Sequence, residues 1–300
     1  MRELLAELKR YAATDANVLV LGETGAGKDA VARALHTAGA RRNEPFVVVD
    51  CPSLPATLME SELFGHERGA FTDATTAKPG RFEMAGRGSI YLDRVSELPP
   101  ETQAKLLRLV EEKRGERLGG TLFFEIRARV IASVEPGIED RVLEGSFRRD
   151  LYHRLKVLTL TVPPLRDRAT DILPLAAVFI RAQARELGRP VPKLSDDAIA
   201  VLKAYPWPGN VRELRHVLER SVIGNTTGTI EVDELPLEKQ HDLDSAFGVA
   251  GVNRPTLEEV ERRYLEIVLR DVKGNQTEAA AILGISRKAL WEKRKRYRME

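Results

Sequence analysis

Val18-Leu19-Val20-Leu21-Gly22-Glu23-Thr24-Gly25-Ala26-Gly27-Lys28-Asp29 runs without a spacer from an apolar stretch into a glycine-rich turn, and Ala30-Val31-Ala32-Arg33-Ala34-Leu35 continues it as a helix. Strand, glycine turn and helix in this order make a phosphate cradle. The glycines let backbone N–H groups converge on an anion, the helix N-terminus favours negative charge, and Lys28 reaches the terminal phosphates. A turn before a surface helix needs neither three closely spaced glycines nor a lysine at this point. Gly22 through Asp29 are therefore expected to bind a nucleoside triphosphate. Asp29 stands where a serine or threonine usually follows the lysine, so nucleotide binding is better supported here than turnover.

Working outward, a chain of 300 residues is long enough for more than one domain. With 43% hydrophobic and 31% charged residues it has the composition of a soluble globular protein. Its net charge of +2 does not by itself mark a nucleic-acid binder, so charge distribution has to decide. No stretch has the length and apolarity of a membrane span, and the N-terminus does not lead into a signal-peptide core, so a cytoplasmic protein with no membrane association is expected. The single cysteine, Cys51, excludes an intrachain disulfide and a cysteine-rich zinc site, and it reads as a buried thiol after the strand Phe46-Val47-Val48-Val49.

β-rich runs at 18–21, 46–49, 89–92, 128–132 and 157–162 alternate with helical patterns, which predicts a parallel sheet covered by helices over residues 1–165. From about 170 the strands are expected to cease, with helices over 171–187, 195–204 and 210–223 forming a lid-like unit in 166–230. Residues 231–255 read as a linker interrupted by Gly248, Gly251 and Pro255. A helical unit over 256–300 follows, opening with the apolar positions Leu257, Val260, Tyr264, Leu265 and Val268. The fold class is thus α/β with a helical lid, plus an all-α C-terminal domain.

The apolar strand Ser89-Ile90-Tyr91-Leu92 ends in Asp93, a natural place for a carboxylate that holds Mg²⁺ beside a phosphate loop. With Glu62-Leu63-Phe64-Gly65-His66-Glu67-Arg68-Gly69-Ala70-Phe71-Thr72, Gly145-Ser146-Phe147-Arg148-Arg149-Asp150-Leu151-Tyr152-His153-Arg154-Leu155, Pro163-Pro164-Leu165-Arg166-Asp167-Arg168 and Trp207-Pro208-Gly209-Asn210-Val211-Arg212-Glu213-Leu214, the sequence resembles bacterial sigma-54-dependent transcription activators. Their ATPase module is a branch of the AAA+ family that includes the nitrogen-regulatory activators. The resemblance covers essentially the whole chain.

It implies ATP and Mg²⁺ as cofactors, hydrolysis to ADP and phosphate, and a homo-oligomer, hexameric when active or dimeric at rest, that remodels sigma-54 RNA polymerase holoenzyme. By the same resemblance Lys28 and Asp93 belong to the nucleotide site, Arg148 and Arg154 are arginine fingers supplied to a neighbouring subunit, and Arg212 is the lid's sensor arginine. Arginine suits such roles because its cationic fork matches phosphate geometry. Gly69, Ala70, Phe71, Thr72, Asp73 and Ala74 match the loop that engages sigma-54.

Three positions depart from the family pattern. Arg94 follows Asp93 where the family has a glutamate, and a permanently protonated arginine cannot serve as a base toward water. Glu135 falls at the sensor asparagine, and a further carboxylate near the γ-phosphate is unfavourable unless neutralised. Asp73 replaces a glycine of the sigma-54 loop, adding charge and removing backbone freedom. These departures keep a second expectation open: a nucleotide-responsive DNA-binding scaffold or repressor with weak or absent hydrolysis and sigma-54 engagement. Because Leu19 already lies in the first strand, a phosphoreceiver ahead of the ATPase is not expected.

Asn275-Gln276-Thr277-Glu278-Ala279-Ala280-Ala281-Ile282-Leu283-Gly284-Ile285-Ser286-Arg287-Lys288-Ala289-Leu290-Trp291-Glu292-Lys293-Arg294-Lys295-Arg296 carries an independent signal. A short alanine-rich helix, a glycine turn and a serine-capped basic helix predict a helix-turn-helix that binds double-stranded DNA. Ala280, Leu283, Ile285 and Leu290 are expected to pack between the two helices. Arg287 and Lys288 lie where base edges are read, whereas Lys293, Arg294, Lys295 and Arg296 lie farther along, toward phosphates. The segment resembles the Fis-like domain that ends many sigma-54-dependent activators. The preceding helix either pairs two such units or completes a monomeric three-helix core.

Overall fold

The computed structural model describes residues 1–237, 256–272 and 275–297. Its centre is a five-stranded parallel sheet of β1 (Val18–Leu21), β2 (Phe46–Asp50), β3 (Ser89–Asp93), β4 (Arg129–Val134) and β5 (Leu158–Thr161), in the order β2-β3-β4-β1-β5. All five coincide with the β-rich runs of the sequence to within two residues.

The central strands are apolar without alternation because helices cover both faces. On one face Leu19, Ile90, Leu92, Val130 and Ala132 pack with Leu106, Leu109 and Leu151. On the other, Val18, Val20, Tyr91, Ile131 and Leu160 pack with Leu4, Leu8, Val31 and Leu35. Every residue of β4 is buried. The sheet order leaves the C-terminal ends of β3, β4 and β1 side by side, the usual position of a ligand crevice in such sheets.

The lid contains helices Ile172–Glu186, Asp196–Ala204 and Asn210–Gly224. Contrary to expectation, strands do not cease at 170: Lys193–Leu194 pairs in parallel with Thr229–Ile230. A two-residue pairing carries too little alternation to be read from sequence. The turn before the last lid helix is locked by Trp207, which is fully buried at φ 53° and donates from Nε1 to the Leu202 carbonyl at 2.9 Å. Trp207→Phe strands that carbonyl, and chemical denaturation is expected to show a loss of about 1–3 kcal/mol; an unchanged midpoint would place the turn's stability elsewhere.

The first compact unit runs through Pro236. The opening residues of the expected 231–255 linker therefore belong to the lid: the 3₁₀ turn Val232–Glu234 is held by Ser221 Oγ, which donates to the Glu234 carbonyl at 2.8 Å. The remainder of that segment, from 238, lies outside the described residues. Among the described residues no helix is long and apolar enough to cross a membrane.

The terminal unit is a three-helix cluster of Leu257–Asp271, Gln276–Ile282 and Arg287–Arg296. Leu265, Val268, Ala279, Ala280, Leu290 and Tyr297 form its core, with Leu283 and Ile285 packed against it. Leu265 and Val268 of the first helix thus pack into the core of their own unit. Tyr264, expected among its apolar positions, is 40% exposed. Asn275 and Ser286 cap the two short helices, and Gly284 turns between them at φ 66°.

Candidate nucleotide site and its partners

Gly22 to Gly27 loop between β1 and the helix Lys28–Thr37, and Lys28, only 6% exposed, donates from Nζ to the carbonyls of Gly22 (2.6 Å) and Glu23 (3.1 Å). Burial pulls its pKa below the ordinary lysine value, while the nearby carboxylates of Glu135 and Asp93 oppose that shift. The loop borders an open cleft of about 570 Å³ whose walls also carry Asp29, Asp93, Arg94, Glu135 and Arg212. Asp29 and Arg212 are exposed there.

Asp93 is oriented by two hydroxyls: Tyr91 Oη donates to its Oδ1 at 2.8 Å and Ser133 Oγ at 2.5 Å. Arg94, in the left-handed region at φ 53°, donates its backbone N–H to Ser133 Oγ at 2.9 Å and extends Nη2 to Asp50 Oδ1 at 2.8 Å. Glu135, the first residue past β4, accepts a hydrogen bond from the Thr24 hydroxyl. Cys51 is fully buried, and burial, reinforced by the charges of Asp93 and Asp50, pushes its thiol up to about 12, which makes it inert as a nucleophile.

Sequence reasoning missed the seam between loop and lid. Gly25 sits at φ 74° with its Cα facing the Gly209 carbonyl so closely that an added Cβ would stand 2.3 Å away. Val211 N–H donates to the Gly25 carbonyl at 3.0 Å. Buried Asn210, also at positive φ, donates from Nδ2 to Glu23 Oε2 (3.0 Å) and the Thr24 carbonyl (3.1 Å), and its Oδ1 accepts from Leu165 N–H at 2.7 Å. Arg166 grips Glu23 bidentately at 2.9 and 2.5 Å, holding that carboxyl below its usual range. Arg168 Nη2 reaches the Ala26 carbonyl at 2.6 Å. The one available signal was an asparagine, a residue tolerant of left-handed backbone, directly after Gly209 at a helix start.

The structure does not bring Arg148 and Arg154 into the cleft. Both are exposed, and Arg148 lies in an ion pair with Asp150 at 2.7 Å. In the loop Gly69 to Ala74, Phe71 is 37% exposed and meets His66 edge-on at 5.0 Å between centroids. Gly69 N–H closes the loop onto the Ala74 carbonyl at 2.8 Å, and Arg117, bonded to Glu67 and Glu83, braces its base. Asp73 is not among the residues with positive φ.

On the basic helix Arg287, Lys288 and Lys295 are exposed, with Lys295 Nζ over the Trp291 ring at 5.4 Å from its centroid. Lys293 is bonded to Glu261, and Arg296 Nη2 to Glu258 Oε1 at 3.2 Å. Two of the four expected phosphate cations are thus already paired with the first helix of their own unit.

A phosphate loop entering a helix from β1, on a β2-β3-β4-β1-β5 parallel sheet and covered by a helical lid, defines an AAA+ P-loop ATPase fold. Residues 1–161 match the sigma-54 interaction domain, 166–247 the AAA+ ATPase lid domain, and 256–297 the Fis family of bacterial regulatory proteins. The chain belongs to the sigma-54-dependent, nitrogen-regulatory family of AAA+ transcriptional activators with a C-terminal Fis-type helix-turn-helix. It is 41% identical over 303 residues to the regulatory protein AtoC of Escherichia coli, matching 99% of this chain and 66% of AtoC. The sigma-54-dependent transcriptional activator SfnR of Pseudomonas putida is 42% identical over 301 residues, matching 95% of this chain and 82% of SfnR. The crystal structure of NtrX from Brucella abortus in complex with ATP superposes with a TM-score of 0.74 at 36% identity, covering 99% of this chain and 67% of NtrX. The chain spans just under two thirds of the length of AtoC and of the alginate regulator AlgB.

Proposed function

We propose that the protein is a cytoplasmic, ATP-dependent enhancer-binding regulator that holds promoter-upstream DNA and remodels sigma-54 RNA polymerase. The observation that carries this reading is the convergence of Lys28, Asp93 and Arg212 on one cleft between sheet and lid, in a chain that also bears a capped basic helix-turn-helix.

The residues fit Mg-ATP. The glycine cradle and Lys28 receive the phosphates, and Asp93, fixed by Tyr91 and Ser133, offers an oriented carboxylate at the same cleft. Asp93 would supply a carboxylate to an ion otherwise held by phosphates and water. When bound, Mg²⁺ neutralises charge developing on the phosphates. Arg212 faces the nucleotide from the lid. Exposed Arg148 and Arg154 are assigned to the site of a neighbouring subunit, so a homo-oligomeric ring, hexameric when active, is the hydrolytic form. Gly69 to Ala74 present Phe71 to sigma-54, and Arg287, Lys288 and Lys295 serve duplex DNA.

Arg94 favours a second reading, a nucleotide-responsive DNA-binding scaffold or repressor without efficient hydrolysis, because it occupies the position next to Asp93 and is tied to Asp50. Measuring ATP turnover together with transcription from a sigma-54 promoter separates the two: turnover with activation supports the first, and nucleotide binding without either supports the second. Because Asp73 is exposed and holds no positive φ, its charge is taken as the main difference from glycine, and Asp73→Gly is expected to strengthen sigma-54 binding by less than about tenfold, the range of an exposed charge. Pull-down with a transition-state mimic bound checks this, and a gain well beyond tenfold would restore backbone freedom as the limiting factor.

A further inference from the structure

Arg94 removes the carboxylate expected beside Asp93, yet the cleft has a second one. Glu135 leaves the end of β4 next to the phosphate loop: Gly22 N–H donates to the Val134 carbonyl at 3.3 Å, and the Thr24 hydroxyl donates to Glu135 Oε1. Both Lys28 and Arg94 line the same cleft. A carboxylate near a triphosphate is unfavourable alone, but two flanking cations offset it. The other carboxylates are less suited. Asp50 is taken by Arg94 and does not border the cleft, Glu23 is gripped by Arg166 and Asn210, and Asp29 lies on the first turn of the phosphate-binding helix itself.

We propose that Glu135 is the catalytic carboxylate of ATP hydrolysis, orienting the attacking water and accepting its proton, with Arg94 as the cation that balances it. This rests on the reading of the cleft as a hydrolytic ATP site. The water oxygen bonds to the γ-phosphorus as the bond from that phosphorus to the β–γ bridging oxygen breaks. The electron pair of the broken bond stays on ADP. The water proton passes to the Glu135 carboxylate and from there to the released phosphate or solvent. Arg94 stays protonated throughout.

The test is steady-state turnover of Mg-ATP by the full chain, alongside ATP affinity by calorimetry. Glu135→Gln keeps the shape and the Thr24 contact but cannot take a proton. It is expected to lower kcat about 10²-fold while ATP affinity stays within about threefold, a margin well under one tenfold step of 1.4 kcal/mol. Glu135→Asn should lose turnover likewise, and Arg94→Glu added to it should regain at least part, because a carboxylate returns from the neighbouring strand. Wild-type-like turnover in Glu135→Gln, or loss of turnover in Asp50→Asn but not in Glu135→Gln, overturns this inference and leaves the ATPase reading standing. Loss of ATP binding in Glu135→Gln also overturns it, in favour of a structural role. A wild-type protein that binds ATP without turnover, but gains turnover with Arg94→Glu alone, overturns both.

Discussion

Lys28→Ala is expected to weaken Mg-ATP binding about a hundredfold or more and to abolish any ATP-dependent activity. A charge-assisted hydrogen bond contributes about 1.5–3 kcal/mol, and a tenfold change in affinity corresponds to about 1.4 kcal/mol. Two features push this substitution toward the upper end. Lys28 is buried, so its charge acts through little water. It also stands near Glu135 and Asp93, which would otherwise face the triphosphate with less compensation. Calorimetric titration of the full chain decides the matter, and an affinity within threefold of wild type would remove Lys28 from the phosphate site.

Replacing Arg287 and Lys288 together by alanine is expected to weaken specific DNA binding about a hundredfold and to flatten sequence preference. Both are exposed at the N-terminal end of the helix capped by Ser286, and a good base contact contributes about 1–3 kcal/mol. Single replacements farther along should separate by their existing partners. Lys295→Ala should reduce the slope of log affinity against log salt by roughly 0.9, the value for one phosphate contact. Lys293→Ala and Arg296→Ala should reduce it less, since Glu261 and Glu258 already neutralise those cations. Binding across a sequence library at several salt concentrations gives all three slopes together with the sequence preference. Equal slopes for Lys293→Ala and Lys295→Ala would mean that DNA breaks the Lys293–Glu261 pair.

The sheet was legible because β1, β3 and β4 are covered on both faces and therefore carry mostly apolar, β-rich centres, Val18 to Leu21, Ile90 to Leu92 and Val130 to Ala132. The phosphate loop was legible for a related reason: its glycines and lysine are contiguous, so local spacing is the site. Asn210 was not, because its partners Glu23 and Thr24 lie far away in the chain and only the folded lid brings them together. The ion pairs from Lys293 and Arg296 escaped for the same reason: a basic run announces charge, whereas the carboxylates opposing it sit on an earlier helix.

The bonds from Asn210, Val211, Arg166 and Arg168 to Glu23 through Ala26 tie the phosphate loop directly to the lid. Were the lid to reorient, these bonds would have to change with it, so any linkage between nucleotide occupancy and lid orientation would pass through them and would be reciprocal. If bound ATP favours one lid orientation by a given factor, any partner or neighbouring subunit that holds the lid in that orientation tightens ATP binding by the same factor. A protein that grasps only the lid helices, without touching the cleft, would thus act as an effector of nucleotide affinity.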